Sequence, residues 1–86
     1  MIAATVTGQV WATRRIDGLP SGAMLDVEVE GSGAHLIAFD TLGSGLGERV
    51  LIVQGSVAAG WFTGPPPPID ALVIGAIDDV PGAAAP

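Results

Sequence analysis

From Ile69 to Ile77 the chain is apolar on both faces of an extended segment: Ala71, Val73 and Ile77 point one way, Leu72, Ile74 and Ala76 the other. Its β-branched residues favour a strand, and a strand of this kind must be covered on both sides. That demand is severe in a chain of 86 residues, because a domain this small buries only about 60% of its unfolded surface. Closing the strands into a small barrel answers it, since closure fills an interior and abolishes exposed sheet edges.

The rest of the chain supplies the other strands. Ile2 to Thr13 alternates with period two, with Ile2, Ala4, Val6, Val10 and Ala12 on one face and Thr5, Thr7, Gln9 and Thr13 on the other. Gly8 within it marks a bulge or bend. Trp11 falls on the polar face, a poor place for a large aromatic ring unless another surface covers it. After turn signals at Asp17-Gly18 and Pro20-Ser21-Gly22, a second strand alternates Leu25, Val27 and Val29 with the acidic row Asp26, Glu28 and Glu30. Gly31-Ser32-Gly33 leads into a third strand, His35 to Thr41, with burial expected on both faces. Leu42 to Glu48 is a glycine-rich loop, and Val50 to Gln54 is the fourth strand. Gly55-Ser56 is placed to cap one helical turn through Val57, Ala58 and Ala59, the serine hydroxyl serving as acceptor. Pro65 to Pro68 then delivers an extended chain into the fifth strand. The expected fold is all-β, a small five-stranded OB-like closed barrel with one short helical turn before the last strand. The barrel domain is expected over 1–79, with a flexible tail over 80–86.

Composition restricts the chemistry. Three arginines, no lysine and nine acidic residues give a formal charge of −6, which argues against nucleic acid, whose phosphates require several cations. Four aromatics are too few for a stacking platform in a basic groove. Without cysteine and with one histidine, thiolate zinc sites and cysteine nucleophiles are excluded and no metal or other cofactor is expected. The acidic row reads as a solvated face rather than a cation site. His35 sits on an apolar strand with no nucleophile elbow in the chain, so it reads as a partly buried structural residue and no catalytic residue is assigned. Gly43-Ser44-Gly45-Leu46-Gly47 resembles a phosphate loop only in composition: it leads into a strand rather than a helix, and no lysine accompanies it. Its glycines instead suit positive φ or close backbone approach. The N-terminus lacks the basic and apolar regions of a secretory signal, and no segment reaches the ~20 apolar residues of a membrane helix. A mean hydropathy of +0.57 is high for so small a domain, and the excess suits surface covered by other copies.

Four stretches in order carry a family resemblance: Met1-Ile2 with Val6, Gly8 and Val10-Trp11-Ala12-Thr13-Arg14; Asp40-Thr41-Leu42-Gly43-Ser44-Gly45-Leu46-Gly47-Glu48; Val53-Gln54-Gly55-Ser56; and Pro68-Ile69-Asp70-Ala71 with Ile74-Gly75-Ala76-Ile77-Asp78. Together they resemble the EutN/CcmL family of bacterial microcompartment vertex proteins, in register up to Asp78. The sequence departs at Val57-Ala58-Ala59, where relatives often carry Ser-Ala-Arg, and over Gly60 to Pro67. The resemblance implies a non-enzymatic shell protein of the bacterial cytoplasm. It implies a homopentamer that caps five-fold vertices among hexameric and trimeric shell proteins. Trp11, Arg14, Gly43, Ser44, Gly45, Gly47, Gly55, Ser56 and Asp70 are the candidates for the subunit interface or the five-fold axis. Arg14 or Arg15 is expected to pair with Asp70. The alternative is a free-standing OB-like module that binds a small ligand or nucleic acid.

Overall fold

The computed structural model describes residues 1–12 and 14–78. In chain order it contains β1 (Ile2–Val10), β2 (Ala23–Val29), β3 (His35–Asp40), β4 (Arg49–Gln54), α1 (Ser56–Gly60) and β5 (Ala71–Ile77). The strands form a closed barrel in the order β1-β2-β3-β5-β4, sealed where β4 returns to β1. Every pairing is antiparallel except β3 with β5, which meet in parallel at Phe39 and Leu72. The all-β barrel with a short helix before the last strand is thus the architecture present. The expected flexible tail over 80–86 lies outside the described residues.

Two cores explain why β5 is apolar on both sides. Inside the barrel, Ala4, Val6, Leu25, Val27, Ala38, Val50, Ile52, Ala71 and Val73 form one cluster. Outside it, Phe39, Ala58, Ile69 and Leu72 form a second, flanked by Leu19, Met24, Val53, Phe62 and Ile74. Ala71 and Val73 therefore enter the interior while Leu72 between them faces the outer cluster. That outer face is covered by the chain's own 55–70 connection. Ala58 of α1 is fully buried, its methyl group letting the single helical turn lie close to the sheet. Phe62 meets Phe39 edge-to-face at 6.3 Å, the geometry that sets a positive ring edge on a negative ring face.

Bulges curve the sheet. Val6 pairs with Val27 but Gly8 with Asp26, which leaves Thr7 as the extra residue. Gly8 thus stands at a bulge as its lack of a side chain suggests, and the Thr7 hydroxyl bonds Asp26 through both its carbonyl and its carboxylate oxygen, each at 3.0 Å. In β5, Leu51 pairs with Gly75 and Ile52 with Val73, so Ile74 is extra. Beyond that bulge two-sided burial ends: Ala76 is exposed and Ile77 half-buried.

Several expectations from sequence are corrected. β1 stops at Val10, and Trp11 and Ala12 are exposed outside the strand. β3 is not covered on both faces along its length, because Ile37 sits at the open rim of the outer cluster and is 47% exposed. His35 is exposed rather than partly buried, with Nδ1 3.2 Å from the Asp26 carboxylate. Ser56 makes no cap bond: α1 starts from Gly55 at φ 70°, and the first turn closes through Ala58 N–H donating to the Gly55 carbonyl at 3.1 Å.

Candidate assembly surface

The loop between β3 and β4 is held by two carboxylates. Asp40, 2% exposed at the end of β3, accepts through Oδ2 from the N–H groups of Gly43 at 2.9 Å and Ser44 at 2.8 Å. Its Oδ1 accepts from the Ser44 hydroxyl at 2.9 Å and, longer, from Leu42 N–H at 3.3 Å. Glu48 accepts from Gly45 N–H at 2.7 Å. Backbone bonds tie the far end to β1, with Gly47 N–H donating to the Val6 carbonyl at 2.8 Å and Val6 N–H to the Glu48 carbonyl at 2.9 Å. Gly43 and Gly47 are needed for their φ values of 80° and 83°, and within this chain neither crowds another atom. Gly45 has no positive φ, and a Cβ there would stand 3.1 Å from Glu48 Oε1, so of the two expected roles positive φ operates at Gly43 and Gly47 and close approach at Gly45.

Asp40 and Glu48 were absent from the candidate residues read from sequence. A signal for Asp40 was present, since an aspartate just before a Gly/Ser loop commonly accepts from backbone N–H groups two to four residues on. Its burial was not readable, because burial is set by segments distant in sequence; Gly22, for one, lies directly against the Asp40 carbonyl and the Phe39 ring. A Cβ on Gly22 would stand 2.6 Å from both.

A second group of candidates meets at the start of α1. Gly55 N–H donates to the Asp70 carbonyl at 2.7 Å, extending the β4–β5 ladder by one bond. Gly55, Ser56 and Asp70 line an open depression with Ala59, Pro67 and Pro68. On its other side Asp70 borders a cavity of about 150 Å³ lined chiefly by Leu19, Met24, Ile37, Phe39 and Ile69. Asp70 and both arginines, Arg14 and Arg15, are exposed. Among the described residues Arg49 pairs with Glu30, and His35 Nδ1 lies 3.2 Å from the Asp26 carboxylate. The proposed partner of Arg14 or Arg15 therefore does not pair with it within one chain.

The acidic row of β2, continued by Glu30 just beyond the strand, has polar partners on the barrel exterior. Arg49 grips Glu30 with Nε and Nη2, the latter at 3.0 Å, and His35 faces Asp26. Among the described residues no cluster of three or more potential ligands could hold a metal ion, and no helix is long and apolar enough to cross a membrane.

What the surface offers is apolar. Trp11, Trp61 and Leu46 are each more than two-thirds exposed, and Ile16, Val57 and Leu42 more than half. Isolated exposed aliphatics are ordinary, but two exposed tryptophans and several exposed large aliphatics are more apolar exposure than a barrel this small usually leaves to water.

Comparison with known proteins accords with that pattern. The family described as "Ethanolamine utilisation protein EutN/carboxysome" matches residues 1–78. A solved pentameric shell protein from the RMM microcompartment is 71% identical, with a TM-score of 0.90 and 92% of each chain covered. The microcompartment shell vertex protein EutN of Escherichia coli (strain K12) is 40% identical over 82 residues, covering 90% of this chain and 86% of the relative. The carboxysome shell vertex protein CcmL of Thermosynechococcus vestitus is 35% identical over 82 residues, covering 90% and 83%. With nearly its whole described length matched, the chain belongs to the EutN/CcmL family of microcompartment shell vertex proteins.

Proposed function

We propose that this protein is a structural shell component of a bacterial microcompartment, a homopentamer that occupies the five-fold vertices and closes the shell. The observation that carries the reading is the 71% identity to a solved pentameric shell protein over 92% of the chain. Its physical counterpart is the exposure of large apolar side chains, Trp11, Trp61 and Leu46 among them. A head-to-tail interface closes into a ring when its rotation divides the circle, and a five-fold unit supplies the curvature that a flat hexagonal layer lacks.

In this reading Trp11, Arg14, Gly43, Ser44, Gly45, Gly47, Gly55, Ser56 and Asp70 lie at the subunit contact or near the axis. Arg14 or Arg15 meets Asp70 of an adjacent subunit, which supports orientation more than affinity because exposed pairs contribute only about 0–1 kcal/mol. The partners are other copies of this chain and the hexameric and trimeric shell proteins, in the bacterial cytoplasm. The protein's work is geometric rather than catalytic. A free-standing binding barrel has less support, since a chain of charge −6 with three arginines offers nucleic acid no basic groove.

Native mass spectrometry of the purified chain tests the proposal. The expected species is five copies of the 8.6 kDa chain. A chain that remains monomeric at micromolar concentration overturns it.

A further inference from the structure

Asp40 is the one buried charged side chain among the described residues, and each of its hydrogen-bond donors lies on the loop that follows it. Withdrawing a carboxylate from water is costly unless its lone pairs are met. Here they are met by three backbone N–H groups and one hydroxyl. The barrel itself donates none of these bonds, so the feature that Asp40 specifies is the conformation of the loop.

The other end of the loop is tied by Glu48 and by the backbone of Val6. Between the ties, Leu42 and Leu46 stand 58% and 76% exposed. A segment with three glycines among Gly43 to Gly47 would otherwise sample many conformations, and the ties remove that freedom before any partner arrives. Apolar side chains on a pre-ordered support associate with less ordering cost. Thr41 to Gly47 carries no charged side chain of its own, and the flanking carboxylates of Asp40 and Glu48 are engaged by the loop's N–H groups.

We propose that Asp40 is a positioning residue of the subunit contact, fixing residues 41–47 so that Leu42 and Leu46 seat against an adjacent copy of this chain. The inference rests on the pentamer reading and extends it by naming the side chains that touch the neighbour and the carboxylate that presents them. A second copy is the occupant because the solved relative with 71% identity is pentameric.

The test compares the wild type with Leu46→Ser and Asp40→Asn in a concentration series read by native mass spectrometry and sedimentation, with circular dichroism as the check of folding. Amide hydrogen exchange at Gly43 and Ser44 reports the loop. Leu46→Ser alters only an exposed side chain, so the expected result is a wild-type spectrum and an assembly midpoint moved at least about tenfold higher in concentration, as for one lost leucine burial. Asp40→Asn sets an amide donor among N–H groups. Faster exchange at Gly43 and Ser44 is expected, with the midpoint moved in the same direction although both leucines remain. If that variant does not fold, Ser44→Ala, which removes one donor and keeps the carboxylate, is expected to shift exchange and midpoint the same way. A Leu46→Ser protein that assembles at the wild-type midpoint overturns the contact. Asp40→Asn, or Ser44→Ala in its place, with faster exchange but unchanged assembly overturns the positioning role. A wild type that never assembles fails the pentamer reading itself, and is thereby distinguished from either result.

Discussion

The barrel interior and the 41–47 loop are both ordered, but by opposite means. In the interior, aliphatic side chains from all five strands interlock, with Val27, Val50 and Ile52 fully buried. Such burial is non-directional and cooperative: each side chain depends on many neighbours, and all fail together. The loop has no aliphatic anchor of its own, with Leu42 and Leu46 exposed, and it is held by directional bonds to two carboxylates and to β1. The difference teaches that damage to the first region should be read as lost stability, whereas damage to the second should be read as altered presentation of a surface on an intact barrel.

The comparison breaks most visibly at Ile52. Ile52→Ala leaves a cavity in the interior, and an expected loss of about 2–5 kcal/mol should appear as a large fall in melting temperature by circular dichroism. If the melt barely moves, the interior is not the cooperative unit described. A smaller effect is expected where the two regions meet. The Cβ introduced by Gly22→Ala would stand 2.6 Å from both the Asp40 carbonyl and the Phe39 ring, so backbone must shift, at a cost of about 1–3 kcal/mol. Denaturant unfolding measures that cost, and exchange at Ser44 N–H should rise with it because Asp40 anchors the loop. Rapid exchange without lost stability would show that the loop is separable from the barrel even at this junction. The smallest effect belongs to the outer polar surface: Glu30→Gln loosens the grip on Arg49, and since both side chains are about one-third exposed the expected change is about 0–1 kcal/mol, shrinking further at high salt. A loss above that range would mean that the exterior polar ladder supports the barrel as the interior does.

The parts legible in sequence were those set by local chain chemistry. The alternation of Leu25, Val27 and Val29 with acidic residues gave β2 its direction, and the two-sided apolar run after Asp70 gave β5 its need for two cores. Gly8, having no side chain to pack, marked the bulge in β1. Misreadings arose where a neighbour distant in sequence decided. Ile37 lies in an apolar run, yet it stands at the rim of the outer cluster, only partly covered. His35 lies on an apolar strand, yet its register opposite Glu28 on the exterior face places it beside Asp26. Ser56 is a good capping residue by type, yet Gly55 at positive φ begins the helix without it.

The candidate surface divides in the same way. Gly43 and Gly47 were recognisable because positive φ is a local property that glycine alone adopts cheaply. The family motifs located Gly55 and Asp70, but only the β4–β5 ladder shows that the two are joined by a backbone bond. By itself, then, the sequence determined an all-β chain with strands at these places, a negative surface poor in cations, and an apolar excess larger than one small domain can hide. Tertiary structure decided how that excess is distributed. Barrel closure assigns Ala71 and Val73 to one core and Leu72 to another, while Leu46 and Trp61 remain outside. It also decided that Asp40, ordinary in sequence, is buried among the N–H groups of a loop, because burial and hydrogen-bond partners are properties of what packs around a residue and not of the residue type.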